Sequence, residues 1–204
     1  MKTKYCPRPD QEVLNGFKEQ IGFYFPTDAE LEKFADKCFK KQQTRFMLNR
    51  LRWFLELADY QKYDSVKLFF LIAMAETNTK LRTGRFRKND SETADVKDFF
   101  DRFSQQDKDE LRKHFFKEDR WLKKHFLRFK TVVDMLINER HKLVHGKNHY
   151  RFSFYRSEGL MNPLWGEVGR KNKKRKKKCQ LTLTYGDFKK VMAMNAIENI
   201  KSSL

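Results

Sequence analysis

The sequence contains few cysteines and lacks the phosphate-binding loops of nucleotide hydrolases. Its three cysteines, Cys6, Cys38 and Cys179, are odd in number and far apart. They argue against a disulfide framework or a zinc site and predict free thiols in a reducing compartment. Neither GxGxxG nor GxxxxGK occurs, which excludes nucleotide hydrolysis of the P-loop kind. No spacing of His, Asp, Glu and Cys is typical of a metal site, and we predict neither a metal nor a cofactor.

Long apolar runs are also missing. The longest, residues 68–75, is far shorter than the roughly 18–20 residues of a membrane span. Residues 1–5 lack the hydrophobic region of a signal peptide. We therefore expect a cytoplasmic protein with no membrane partner.

Acidic residues are too few to balance the basic ones. The chain has 27 Asp and Glu against 45 Lys and Arg, for a net charge of +18 and a pI near 9.8. Such a charge attracts polyanions such as RNA, DNA or an anionic membrane. Hydrophobic residues make up 39% of the chain and include 20 Phe, which predicts a Phe-packed core under a charged surface and not a disordered chain.

Apolar residues recur every three or four positions over most of the first 145 residues, which is typical of amphipathic helices. Asp10 marks one helix start, and Thr27 with Glu30 forms a capping-box pattern that marks another. The predicted helices span residues 10–25, 28–57 (one helix, or two joined near residue 42), 64–82, 91–103, 107–116 and 119–145. Residues 64–82 are apolar nearly all round, so we expect this helix at the centre of a bundle.

After Gly146 the apolar period changes to two. Residues 150–155 and 180–185 alternate as strands do, and a final amphipathic helix follows from about residue 187. The chain is therefore predicted to be mainly α: one helical domain over residues 1–204, with a small antiparallel β-hairpin insert near the C-terminus, at about residues 150–185.

The end of the long helix before Gly146 carries the strongest chemical signal. Arg140, His141 and His145 lie there, one turn after Asn138. An imidazole titrates near neutral pH and can transfer protons, and a guanidinium is a planar fork of donors suited to phosphate oxygens. In so basic a chain, these residues indicate phosphodiester chemistry.

These residues resemble a known signature. Arg140, the polar residue His141 and, after three further residues, His145 resemble the Arg-polar-x3-His motif of the HEPN (higher eukaryotes and prokaryotes nucleotide-binding) superfamily, many of whose members are ribonucleases. The resemblance implies a homodimer in which a two-fold axis brings two arginines and two histidines into one cleft. It also implies a metal-independent reaction. His145 would act as base or acid on a ribose 2′-hydroxyl, Arg140 would stabilise the phosphate charge, and His141 and Asn138 would orient the reacting groups.

Two observations bear on that interpretation. Five residues along a helix rotate by about 500°, so Arg140 and His145 point about 140° apart and are not a same-face pair. A second Arg-x4-His runs from Arg120 to His125, but bulky Trp121 follows Arg120, which favours the copy at Arg140. The structural alternative is an ordinary helix end, because cations suit the negative end of the helix dipole and Gly suits the position after it.

Glu76 and Lys80 form a second candidate pair near the end of the central helix. At a spacing of four they usually form a surface salt bridge worth a few tenths of a kcal/mol. A Glu-x3-Lys element accompanies Arg-x4-His in some HEPN nucleases. The resemblance therefore adds Glu76 to the candidate catalytic residues and Lys80 to the candidate RNA contacts.

A run of eight basic residues in nine lies between the two predicted strands. It is predicted to be an extended or disordered loop that tracks phosphates, with a solvated hairpin tip or a nuclear-targeting segment as alternatives. Its basic residues are Arg170, Lys171, Lys173, Lys174, Arg175, Lys176, Lys177 and Lys178.

Together these features predict a metal-independent endoribonuclease that acts as a homodimer on RNA, as a toxin or defence component with an antitoxin or other defence-system partner. Two alternatives remain open: a non-catalytic RNA-binding module, and a protein-interaction domain whose basic loop only targets it.

Overall fold

A computed structural model describes residues 8–85, 92–118, 124–145, 152–155, 163–167 and 176–204. The chain is mainly α-helical, as predicted. The helices in these ranges are α1 (Gln11–Ile21), a 3-10 turn (Gly22–Tyr24), α2 (Asp28–Phe39), α3 (Gln42–Asp59), α4 (Asp64–Thr83), α5 (Glu92–Asp101), α6 (Gln105–Lys113), α7 (Phe129–Val144) and α8 (Tyr185–Lys201). The strands are β1 (Phe115–Glu118), β2 (Lys124–Phe126), β3 (Pro163–Glu167) and β4 (Lys176–Leu181).

Side-chain caps begin several helices where the sequence predicted. Asp10 accepts a hydrogen bond from the backbone N–H of Val13 at 2.8 Å, and Thr27 accepts one from Glu30 at 3.3 Å. These oxygens satisfy amides that have no partner inside the first turn. At the other end, Gly84 closes α4 with φ of 68°, a left-handed conformation that costs glycine little.

The long helical stretch after Thr27 is two helices, which decides between the two predicted alternatives. Lys41 is extended, and α3 begins at Gln42. The hydroxyl of Thr44 donates to the carbonyl oxygen of Cys38 at 2.7 Å, which ties the turn together inside the protein. Burial raises the pKa of the Cys38 thiol to about 12, so this cysteine is held as a neutral core residue.

The central position predicted for residues 64–82 is confirmed. Helix α4 packs against α3, α5, α7 and α8. Phenylalanines fill much of the surrounding core, and those that are fully buried are Phe17, Phe99, Phe100, Phe115, Phe116, Phe154 and Phe188. Close packing against four helices restricts the side chains of α4 to fixed positions.

The predicted helices were wrong at residues 114–116 and 124–128, and residues 119–123 lie outside the described ranges. Helix α6 ends at Lys113, and strands β1 and β2 lie where further helix was predicted. Strand β1 pairs with β2 and also with β4, where Phe115 lies opposite Leu181. Pairing with a strand more than 60 residues away is invisible to local periodicity and overrides it.

The hairpin near the C-terminus is present, but its strands are displaced from the predicted ones. Strands β3 and β4 pair antiparallel, and the described sheet has the order β2-β1-β4-β3. Residues 152–155 do not form a strand. One hydrogen bond of the predicted pairing is present, since the amide of Tyr155 donates to the carbonyl oxygen of Leu183 at 2.9 Å. The neighbouring amide of Phe154 donates instead to the Asp64 carboxylate at 3.0 Å.

No helix among the described residues is both long and apolar enough to cross a membrane.

Candidate functional site

Helix α7 carries the Arg-x4-His residues in its last turns. The helix ends at Val144, and the amide of His145 still donates to the carbonyl oxygen of His141 at 3.1 Å. His145 is thus the C-terminal cap, and its side chain is exposed. Of the other Arg-x4-His, Arg120 lies outside the described residues and His125 lies on strand β2.

Arg140 faces inward and meets the second candidate motif. Its Nη2 donates to Oε2 of Glu76 at 2.7 Å, and the Nζ of Lys80 donates to Oε1 of the same carboxylate at 2.5 Å. We call Glu76, Lys80 and Arg140 the Glu76 cluster. Helix α4 supplies its Glu-x3-Lys pair and α7 supplies its arginine, so two motifs 64 residues apart in the chain form one unit.

The Glu76 cluster is buried and contains two cations. Glu76 and Arg140 are each 8% exposed, while Lys80 reaches further into solvent. The guanidinium carbon of Arg140 also lies 6.0 Å from the centre of the Phe69 ring, within cation–π range. Guanidinium and ammonium groups are the donors that suit the oxygens of an anion such as a phosphate.

A separate group of polar residues lies on the outer face of α7. Asn138, His141 and His145 follow each other at spacings of three and four, which places them on one side of the helix. The rings of His141 and His145 stack with centroids 6.2 Å apart and planes 21° from parallel. The Nε2 of His141 lies 3.4 Å from the hydroxyl of Thr93 on α5, a weak contact whose direction depends on the ring tautomer.

Arg140 and the histidines therefore face different ways. Arg140 points toward α4 and is buried, whereas His145 and Asn138 are exposed. This divergence follows from helix rotation, which separates positions five apart by about 140°. Within one chain, Arg140 therefore lies in the buried Glu76 cluster, whereas His145 lies at the surface.

The structure brings together Glu76, Lys80 and Arg140, and separately Asn138, His141 and His145. Lys176, Lys177 and Lys178 lie on β4, opposite Glu167, Gly166 and Trp165, and the basic residues Arg170, Lys171, Lys173, Lys174 and Arg175 lie outside the described residues.

Two contacts of the site escaped sequence reasoning. Thr93 belongs to a polar stretch in which nothing marks it as a neighbour of His141. The stacking of His141 on His145 had a signal, since they are four residues apart on a helix and such pairs meet. The Arg-x4-His motif draws attention to the spacing from Arg140 to His145, whereas the spacing from His141 to His145 is the one that predicts a contact.

No group of three or more His, Cys, Asp and Glu residues in the described ranges is arranged to hold a metal ion. Comparison with family models, with curated proteins and with solved structures finds no match to this chain.

Proposed function

We propose that this protein is a metal-independent endoribonuclease of the HEPN type, which cleaves RNA as a homodimer. The observation that carries the proposal is the Glu76 cluster. The resemblance joins an Arg-x4-His to a Glu-x3-Lys element, and Nη2 of Arg140 in the first lies 2.7 Å from Oε2 of Glu76 in the second. This contact between the two elements, on neighbouring helices, supports the proposal.

The proposed reaction uses the exposed histidines and the Glu76 cluster for different tasks. His145 removes the proton of a ribose 2′-hydroxyl, and the resulting oxygen attacks the adjacent phosphorus. The bond to the 5′-oxygen breaks, and a second imidazole returns a proton to that leaving oxygen. The products are a 2′,3′-cyclic phosphate and a 5′-hydroxyl. The cations of the Glu76 cluster, Arg140 above all, stabilise the charge that develops on the phosphate oxygens.

A second chain completes the site in this proposal. Since Arg140 and His145 diverge on one helix, a two-fold axis beside the ends of two α7 helices would place the histidines of one chain near the cationic cluster of the other. In a symmetric contact of this kind, both chains contribute the same residues to the shared cleft. An antitoxin or another defence-system partner that controls the enzyme is part of the same proposal.

One experiment tests whether the protein cleaves RNA without a metal ion and whether His145 is needed. Purified protein is incubated with single-stranded RNA in EDTA, beside the variants His145→Ala and His125→Ala. We expect the wild type and His125→Ala to cut the RNA and His145→Ala to lose at least about 100-fold in rate, the lower range for a general base. His125→Ala is the matched control, because it removes the histidine of the other Arg-x4-His. Cleavage only with added Mg²⁺, or unchanged cleavage by His145→Ala, would overturn the proposal.

The burial of Arg140 favours one competing function, a non-catalytic RNA-binding module. An arginine that is 8% exposed and paired to Glu76 can act purely as a structural link between helices. Under this function the wild type binds RNA in the same EDTA assay but leaves it intact at every concentration tested.

A further inference from the structure

The outward side of α3 carries exposed aromatic residues that the proposed site does not use. Phe46 is 43% exposed, Trp53 is 45% exposed, and Tyr60, just past the last turn, is 85% exposed. With Arg50 and Leu57 they follow one another at alternating spacings of four and three, so all five lie along one side of the helix. We call these five residues the α3 face. Exposed aromatic side chains aligned in this way mark a binding surface more often than chance exposure.

Guanidinium groups lie close to two of these rings. The Cζ of Arg45 lies 5.7 Å from the centre of the Phe46 ring, and that of Arg50 lies 5.0 Å from the Trp53 ring. A stacked guanidinium still presents the N–H groups of its edge, which suit phosphate oxygens. Within the described ranges no carboxylate forms an ion pair with either arginine, and the nearby Glu56 pairs with Arg52 at 3.3 Å.

This combination fits one kind of partner. Flat aromatic rings bind the faces of unpaired bases, and cations between them bind the phosphates, as on the surfaces of proteins that bind single strands. A second copy of the chain fits poorly, because two-fold packing of this face on itself would bring its arginines together without acidic partners. The overall charge of +18 also favours a polyanion.

We infer that the α3 face binds an unpaired single-stranded polynucleotide, with bases stacked on Phe46, Trp53 and Tyr60 and phosphates held by Arg45 and Arg50. Phe46 and Trp53 are seven residues apart, about 10 Å along the helix axis. That distance equals roughly three phosphate spacings of a stacked strand at about 3.4 Å each. The two rings would thus contact bases about three nucleotides apart along the strand.

The position of the α3 face relates it to the proposed active site. Helices α3 and α4 run antiparallel, and the side-chain amide of Gln43 donates to the carbonyl oxygens of Leu81 and Arg82 at 2.6 and 3.1 Å. The Phe46 end of the face therefore lies beside the half of α4 that carries Glu76 and Lys80. The inference goes beyond the proposed function, since the face would bind a strand whether or not His145 cleaves it.

The test uses the fluorescence of Trp53 as a reporter of base stacking. The substitutions Trp121→Phe and Trp165→Phe leave Trp53 as the sole tryptophan of the chain. This protein is titrated with a 20-nucleotide oligouridine, with oligodeoxythymidine of the same length and with duplex RNA. We expect saturable quenching by the two single strands and little by the duplex. The relative affinities of the RNA and the DNA strand then tell whether the face also senses the 2′-hydroxyl.

Variants supply the second readout, measured by fluorescence anisotropy of labelled oligouridine. In the otherwise unchanged protein, Trp53→Ala and Phe46→Ala should each weaken binding at least about fivefold, the lower range for loss of one stacked base. Phe23→Ala is the matched control and should not weaken binding, because Phe23 is 49% exposed under Lys190 but lies outside the α3 face. Since these rings are exposed, the variants should fold normally, which circular dichroism would check.

Three results would overturn the inference. These are the absence of Trp53 quenching, equal quenching by duplex RNA, and unchanged affinity in both Trp53→Ala and Phe46→Ala. A shift from dimer to monomer in these variants by sedimentation, with RNA affinity retained, would assign the face to a second copy of the chain instead. Each of these readouts concerns binding, so a failure of RNA cleavage leaves them unaffected.

Discussion

Asp59 and Glu76 both link helices, but they differ in burial and in the cations that contact them. On α3, Asp59 accepts hydrogen bonds from Lys189 at 2.6 Å and from the hydroxyl of Tyr185 at 2.7 Å. One cation meets one carboxylate, and Lys189 also donates to Gln20 at 2.9 Å. This group, the Asp59 cluster, is neutral and partly exposed.

The Glu76 cluster is more buried and involves two cations. Glu76 is more buried than Asp59, and both Arg140 and Lys80 contact its carboxylate. A buried cation interacts more strongly with an anion than an exposed one, because solvent screens it less. For this reason we propose anion binding at Glu76 and only a structural role at Asp59.

The largest expected difference between the two clusters is in the stability lost when the carboxylate is removed. Glu76→Ala removes a buried carboxylate that both Arg140 and Lys80 contact, which we expect to lower the free energy of unfolding by about 3 kcal/mol. Asp59→Ala should cost only about 1 kcal/mol, because solvent screens its partly exposed pair. Urea denaturation of both variants measures the two losses. If Glu76→Ala costs no more than Asp59→Ala, the Glu76 cluster is not the buried link described here.

Acid should weaken the Asp59 cluster. Burial alone would raise the pKa of Asp59, but hydrogen bonds from Lys189 and Tyr185 outweigh it and lower the pKa below its usual value. A carboxyl group with a lower pKa in the folded chain contributes stability above its unfolded pKa and loses it as the pH falls through the folded one.

The measurement compares Asp59→Asn with the wild type at a series of pH values. The stability difference between the two proteins should be largest near neutral pH and should shrink once Asp59 is protonated in the acid range. A difference that stays constant from neutral to acid pH would contradict the assigned pKa direction.

The smallest expected effect concerns Lys80, the more exposed cation of the Glu76 cluster. Lys80→Gln should weaken RNA binding a few-fold and reduce the slope of log affinity against log salt by about 0.7–1, as loss of one phosphate contact does. Lys189→Gln is the matched control, since it removes a lysine from the neutral cluster, and it should leave the salt slope unchanged. Equal changes in both variants would indicate only a general effect of net charge.

Much of the helical framework was predictable because its signals are local. Caps such as Asp10 and Thr27, the apolar stripe of α4 and the helix that ends before Gly146 all depend on residues within a few positions of one another. Strands β1 and β2 were missed for the opposite reason. Phe115 and Phe116 are buried by pairing with β2 and β4, and that pairing is a property of the folded chain.

The contacts of the candidate site are also of two kinds: those within one helix were predictable, and those between two helices were not. The spacing from Glu76 to Lys80 and from His141 to His145 fixes which side chains meet along one helix. Neither spacing reveals that Arg140 meets Glu76, because that contact depends on how α4 and α7 pack. The rotation between Arg140 and His145 was predictable, but the side of the helix that α4 would cover was not.

The most direct test of the proposed chemistry replaces the attacking group in the substrate. One RNA is prepared with its natural 2′-hydroxyl and again with a 2′-O-methyl group at the preferred cleavage position, and both are incubated with the wild type in EDTA. We expect only the natural RNA to be cut there, with a 2′,3′-cyclic phosphate and a 5′-hydroxyl as the new ends. Cleavage of the methylated RNA at that position, or products with a 3′-hydroxyl, would contradict the account.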